Sequence, residues 1–162
     1  MLTSRRDYLL RMIDEVARLL SRLMARGELV KPEESQLTLT LAFERLFGRE
    51  AVQIFQLTPD QQYLLLGEGE PPDAARDKRL LYAALNAEAA RLYDRLGRTE
   101  LARASRLNAL RFALRASQDC PNGDLPAYAP DPSALVTELG ATGLDPETAD
   151  LVRAAGSGPG AD

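Results

Sequence analysis

Glu88 is the residue of this chain whose surroundings could alter its acid–base chemistry. It lies at the edge of an apolar helical stripe, where desolvation raises a carboxyl pKa. Arg91 follows three residues later, so the same carboxylate also fits a local i,i+3 ion pair, which is the simpler reading. No second carboxylate is placed by the sequence to share acid and base roles with it. There is no histidine in the 162 residues. That removes Ser-His-Asp and Cys-His nucleophilic machinery and any zinc site built on imidazole. Cys120 is the one cysteine; without a partner for an internal disulfide it points to a reducing compartment, the cytoplasm. The acids between Asp119 and Asp124 lack the spacing and terminal Glu of a calcium loop. The expectation is therefore a protein without catalytic residues, cofactor or metal.

Arginine offers a second kind of chemistry. Between Arg91 and Arg115 stand seven arginines (91, 95, 98, 103, 106, 111 and 115) and two acids, Asp94 and Glu100. A phosphate backbone would need these on one side. At 100° per residue, however, Arg103 and Arg106 point away from Arg111 and Arg115. The whole chain has a net charge of −4, distributed unevenly. Asp119 to Asp162 hold eight acids against Arg153 alone, whereas residues 1–118 carry 19 basic and 16 acidic groups. The acidic tail either folds back on the basic body or, more simply, keeps the chain in solution.

The elements that hold these residues read as helices. Ser4 caps a helix over residues 4–26, ended by Gly27. Leu9, Met12, Ile13, Val16, Leu19, Leu20 and Leu23 fill one half of its wheel, wider than one neighbouring helix requires. Its charged side suggests Asp14–Arg18 and Glu15–Arg18 pairs. Arg5, Asp7, Arg11, Asp14 and Glu15 interrupt any long apolar run, so neither a signal peptide nor a membrane span is expected there. Leu37-Thr38-Leu39-Thr40-Leu41 alternates like a strand, but nothing else in the chain reads as its partner. Pro32 with two acids before it, and Phe43, Leu46 and Phe47 after it, favour a helix ending at Gly48. A short helix over residues 49–57 precedes Thr58-Pro59-Asp60-Gln61, a capping box with proline at the first helical position.

A hairpin over Leu80–Ala116 organises the rest. Its first helix, from Asp73 to Leu96, has a stripe of Ala74, Leu81, Leu85, Ala89, Leu92 and Leu96. Its second, Thr99 to Ser117, carries Leu101, Ala102, Ser105, Ala109, Phe112, Ala113 and Ala116 on the face that meets the first. Leu107, Leu110 and Leu114 form a separate face that the hairpin partner cannot also cover. Two Asp-Pro starts launch short helices at Pro132–Leu139 and Pro146–Ala155. The organisation read from this is an all-helical domain over residues 1–118, an acidic loop with two helices over 119–155, and a disordered end over 156–162.

Tyr93, Gly97, Ala102 and Ala109 make part of a tetratricopeptide signature, with Arg106 and Ala89-Ala90 departing from it. Together with Asp7-Tyr8-x-x-Arg11-Met12-Ile13 and Leu46-Phe47-Gly48, this hairpin resembles a family of small uncharacterised bacterial proteins. The resemblance covers about residues 4–117 and implies a tetratricopeptide-like helical fold, with no activity to carry over. The fold expected is all-α, tetratricopeptide-like hairpins with a short acidic helical tail. The function expected is a non-catalytic protein–protein interaction module that self-associates as a homodimer; its partner is not identified. Its contact residues would be Leu107, Leu110 and Leu114, or Leu9, Ile13, Val16 and Leu20 of the broad first-helix face. The rival use of the leucine face is internal, beneath Leu135, Val136, Leu139, Leu151 and Val152 of the tail. The alternative function is nucleic-acid binding through Arg91–Arg115.

Overall fold

The computed structural model describes residues 2–26, 28–140 and 143–156. Eight helices account for most of them: α1 (Leu2–Arg26), α2 (Pro32–Phe47), α3 (Ala51–Phe55), α4 (Pro59–Gly67), α5 (Pro72–Arg95), α6 (Thr99–Asp119), α7 (Pro132–Leu139) and α8 (Pro146–Gly156). No strand occurs among the described residues. α1 begins at Leu2, so Ser4 lies inside the helix and does not cap it. Gly27, the expected stop of α1, and residues 157–162, most of the expected disordered end, lie outside the described residues.

α5 is the central helix. Every residue from Leu80 to Asn86 is buried, as are Glu88, Ala89, Ala90 and Leu92. The single stripe read from the sequence is therefore too narrow, and its last member, Leu96, is exposed. α5 is enclosed because α1, α2, α4 and α6 all pack on it. α1 runs parallel to it: Arg5 donates to the Gly69 carbonyl at 3.0 Å near the start of α5, and Leu23 and Met24 lie by Glu88 and Arg91 near its end. α2 runs the other way. Phe43 and Phe47 meet the Tyr82 ring edge-to-face at 5.6 and 5.1 Å, while Ser35 and Leu39 reach the far end near Leu92.

α2 settles the strand-like alternation in favour of helix. Thr38 and Thr40 donate their hydroxyls to the Glu34 and Gln36 carbonyls at 3.0 and 2.9 Å, the back-bonding open to a threonine in a helix. Residues two apart lie about 200° round a helix, so Leu39 points into the core while Leu37 and Leu41 face solvent. Gly48 ends α2 with φ +67°, and its N–H is donated to the Glu44 carbonyl at 2.8 Å. The capping box at Thr58 forms as read: Gln61 N–H reaches Thr58 Oγ1 at 3.2 Å and Thr58 N–H reaches Gln61 Oε1 at 2.8 Å.

The α5–α6 turn follows from Gly97, whose φ of +72° suits the left-handed position after a helix. Arg98 N–H bonds the Tyr93 carbonyl at 2.8 Å and Gly97 N–H the Asp94 carbonyl at 3.1 Å, closing a Schellman motif. α6 then returns along α5 with Ala102, Ala109, Ala113 and Ala116 buried. Small side chains let the two backbones approach, and Phe112 fills the remaining space against Tyr82 (4.8 Å) and Tyr63 (5.4 Å). Leu101, expected on this face, is exposed because it sits one turn from the open end of the hairpin.

The acidic tail folds back, and solvation is not its role in this fold. Leu110 and Leu114 of α6 join Leu135 and Leu139 of α7 in a second apolar core, flanked by Val136, Leu151 and Val152. Arg106 Nε meets Glu138 at 2.9 Å and Arg111 meets Glu147 at 3.1 Å, so the tail's acids pair with the α6 arginines. The preceding loop is also tied down. Arg76 donates to the Asn122 and Asp124 carbonyls at 2.8 and 3.2 Å, and Tyr128 to the Asp77 carbonyl at 3.2 Å.

Candidate functional site

The last turn of α1, the connection to α2, the first turns of α2 and the last turns of α5 enclose a cleft of about 650 Å³. Parallel α1 and α5 end together here, and antiparallel α2 begins here, so three helix ends meet with no fourth helix to fill the gap. The connecting chain is fixed by α5: Arg95 donates to the Val30 carbonyl at 2.9 Å. Leu23, Leu39 and Leu92 form apolar walls, and Met24 and Leu29 line the more exposed part.

Two buried polar side chains line the same cleft. Glu88 is only 9% exposed and is bonded to Arg91, whose side chain is largely in solvent. Both sequence readings of Glu88 therefore hold together. Its burial raises the carboxyl pKa above the ordinary range, and the Arg91 charge opposes that shift without cancelling it. The second is Ser35, 3% exposed, whose hydroxyl is the one buried side-chain polar atom without a hydrogen-bond partner among the described residues. A serine in a helix usually returns its proton to the carbonyl four residues back; no such bond forms here.

The expected contact residues are placed otherwise. Leu110 and Leu114 are buried beneath α7 and α8, and Leu107 is half-buried beside them. The tail is their cover, so a dimer seam over Leu107, Leu110 and Leu114 does not fit this fold. Leu9, Val16 and Leu20 are buried in the main core and Ile13 packs half-buried against it. The half-circle of apolar surface on α1 is explained by its position against both α2 and α5. The exposed large apolar residues lie elsewhere on this side of the molecule: Leu10, Met24, Leu29, Leu37 and Leu41, with Val52, Phe55 and Leu64 on α3 and α4.

Most of the arginines proposed for a phosphate backbone have protein partners. Arg91 holds Glu88, Arg106 holds Asp94 and Glu138, Arg111 holds Glu147, and Arg115 holds Asp60 at 3.1 Å while lying over the Tyr63 ring. On α1, Arg18 pairs with Asp14 at 2.6 Å as read, but Glu15 instead crosses to Arg45 of α2 at 2.8 Å. Among the described residues, no group of three or more Cys, Asp or Glu side chains is arranged to hold a metal ion, and no helix is long and apolar enough to cross a membrane.

Sequence reasoning missed Ser35 and the outward leucines of α2. The signal for the leucines was present in the alternation itself: in a helix, Leu37-x-Leu39-x-Leu41 must place one leucine inside and two outside. Nothing in the local sequence marks Ser35, because its burial depends on α5. No protein-family model matches the chain, and comparison with curated proteins and with solved structures found no match.

Proposed function

We propose that this chain is a non-catalytic protein–protein interaction module that self-associates as a homodimer, with the outward face of α2 at the contact. The observation that carries the reading is the pair Leu37 and Leu41, 61% and 50% exposed and one turn apart. An i,i+4 leucine pair on an exposed helix is self-complementary: a two-fold crossing of two α2 helices brings Leu37 of one copy to Leu41 of the other. The apolar face of α6, the other candidate for a contact, already has its own tail upon it.

The same proposal takes the architecture to be tetratricopeptide-like, of the kind found in the uncharacterised bacterial family, and the location to be the cytoplasm. Support comes from the antiparallel α5–α6 hairpin, the left-handed Gly97 at its turn, and the alanines buried between its helices. A single half-buried cysteine suits a reducing compartment. Nucleic-acid binding is the less favoured reading, because the carboxylate partners of Arg91, Arg106, Arg111 and Arg115 would have to be displaced before those arginines met phosphate.

Sedimentation equilibrium tests the dimer. The expected result is a concentration-dependent dimer that becomes a monomer in the Leu37→Glu, Leu41→Glu double variant, with unchanged helicity since both side chains are exposed. A monomer at every concentration for the unaltered chain overturns the reading. Salt-dependent binding to mixed-sequence oligonucleotides would favour the alternative.

A further inference from the structure

The cleft between α1, α2 and α5 combines features that a merely unfilled gap does not need. A buried carboxylate is expensive to keep unless something offsets its lost hydration. Arg91 supplies one hydrogen bond to Glu88 Oε1, whereas a carboxylate can accept about four. The Ser35 hydroxyl, buried in the wall of the same cleft, makes no hydrogen bond at all. Both groups accept protons, and the walls around them, Leu23, Leu39 and Leu92, are aliphatic.

The other charges at the cleft leave its balance negative. Glu28, Glu88 and Asp94 face it, together with Arg91 and Arg95. Arg95 is directed to the Val30 carbonyl and Asp94 to Arg106. Arg91 stands at the rim with its side chain 57% exposed, so it covers one oxygen of Glu88 without closing the cleft. A volume of about 650 Å³ is in the range of small-molecule sites.

We infer that this cleft binds an aliphatic primary ammonium ion, its head held by Glu88 and Ser35 and its chain laid along Leu23, Leu39 and Leu92. The ammonium group is compact and carries three N–H donors, which matches two clustered acceptors better than a carboxylate or a lone hydroxyl would. The aliphatic walls supply the rest of the binding through apolar burial. An anion would have to approach Glu88, and a neutral alcohol would leave its charge without a counter-ion. The site is separate from the outward face of α2, so it stands or falls independently of the dimer.

Titration calorimetry on the full chain with n-hexylammonium chloride tests this, with hexanoate and hexanol as the comparison ligands. The expected result is saturable one-to-one binding of hexylammonium and none of hexanoate. Glu88→Gln should lose about tenfold or more in affinity, as for a hydrogen bond to a charged group, and Ser35→Ala about threefold. Thermal unfolding of each variant establishes that it is folded, because a folded Glu88→Gln protein that binds hexylammonium as tightly as the unaltered chain refutes the assignment. So does equal affinity for hexanol, which would reduce the site to a greasy gap, or preference for hexanoate, which would assign the cleft to Arg91. Absence of any saturable hexylammonium binding overturns it outright.

Discussion

Tyr82 donates its hydroxyl to Gln62 Oε1 at 2.8 Å inside the core, joining α5 to α4 across twenty residues of sequence. Gln62 passes the connection on, donating Nε2 to the Ile54 carbonyl of α3 at 3.0 Å. On the other side Asn86 donates to the Tyr82 carbonyl at 2.9 Å and accepts from Asn108 of α6 at 3.3 Å. Four helices are thus held by one set of buried polar groups. A set of this kind stabilises while every member is satisfied and costs most when one is not.

Replacing Tyr82 by Phe should destabilise the protein by about 1–3 kcal/mol, because Gln62 Oε1 is then buried without its donor. Urea unfolding measures this. The companion double-mutant cycle with Gln62→Leu should show coupling, since the second substitution removes the stranded acceptor.

Leu110→Ala should cost about 2–5 kcal/mol, the range for a large-to-small change in a packed core. Its effect is on stability, with the mass by light scattering unchanged. Removing residues 132–162 should instead expose Leu110 and Leu114 and give higher-mass species. A truncated chain that stays folded and keeps its mass would show that α7 and α8 are not needed as a cover.

Glu88 gives a pH-dependent prediction of definite sign. Burial raises its carboxyl pKa above the unfolded value of 4.5. The protein therefore loses stability at this site as pH rises from below that value through the folded pKa. Glu88→Gln should raise the unfolding midpoint at neutral pH, by up to about 2 kcal/mol in stability, and the advantage should disappear at acid pH. Arg91, mostly in solvent, loses little by the change.

Three buried tyrosines set the alkaline limit. Burial pushes the Tyr82 hydroxyl up to about 12, and raises Tyr63 and Tyr128 as well. Ionisation then occurs in the unfolded chain first. The stability these groups contribute is complete below the ordinary tyrosine value of 10 and falls as pH rises beyond it. Chemical denaturation across this interval should show a steep loss, made shallower in Tyr128→Phe. An unchanged slope in that variant would remove Tyr128 from the account.

Local chemistry made some of this readable in advance. Gly48 and Gly97, the Thr58 capping box and the Asp-Pro starts at residues 131 and 145 fix helix ends by rules that act within a few residues. The small-residue face of α6 also identified its packing partner correctly. For the candidate site the sequence supplied Glu88 and Arg91, since i,i+3 spacing alone brings them together. It could not supply the cleft, because Leu23, Ser35, Leu39 and Leu92 come from three helices whose relative directions no local pattern encodes.

The sequence by itself determined that the chain is helical, where most of those helices stop, and which leucines on α6 the hairpin partner would leave bare. Tertiary structure alone decided what covers them, why α5 is buried on every side, and that Leu37 and Leu41 face outward from a helix whose Leu39 faces in. The physical reason is range. Caps, turns and side-chain periodicity are set by neighbours along the chain, whereas desolvation of Glu88 and isolation of the Ser35 hydroxyl require surfaces from α1, α2 and α5 to converge.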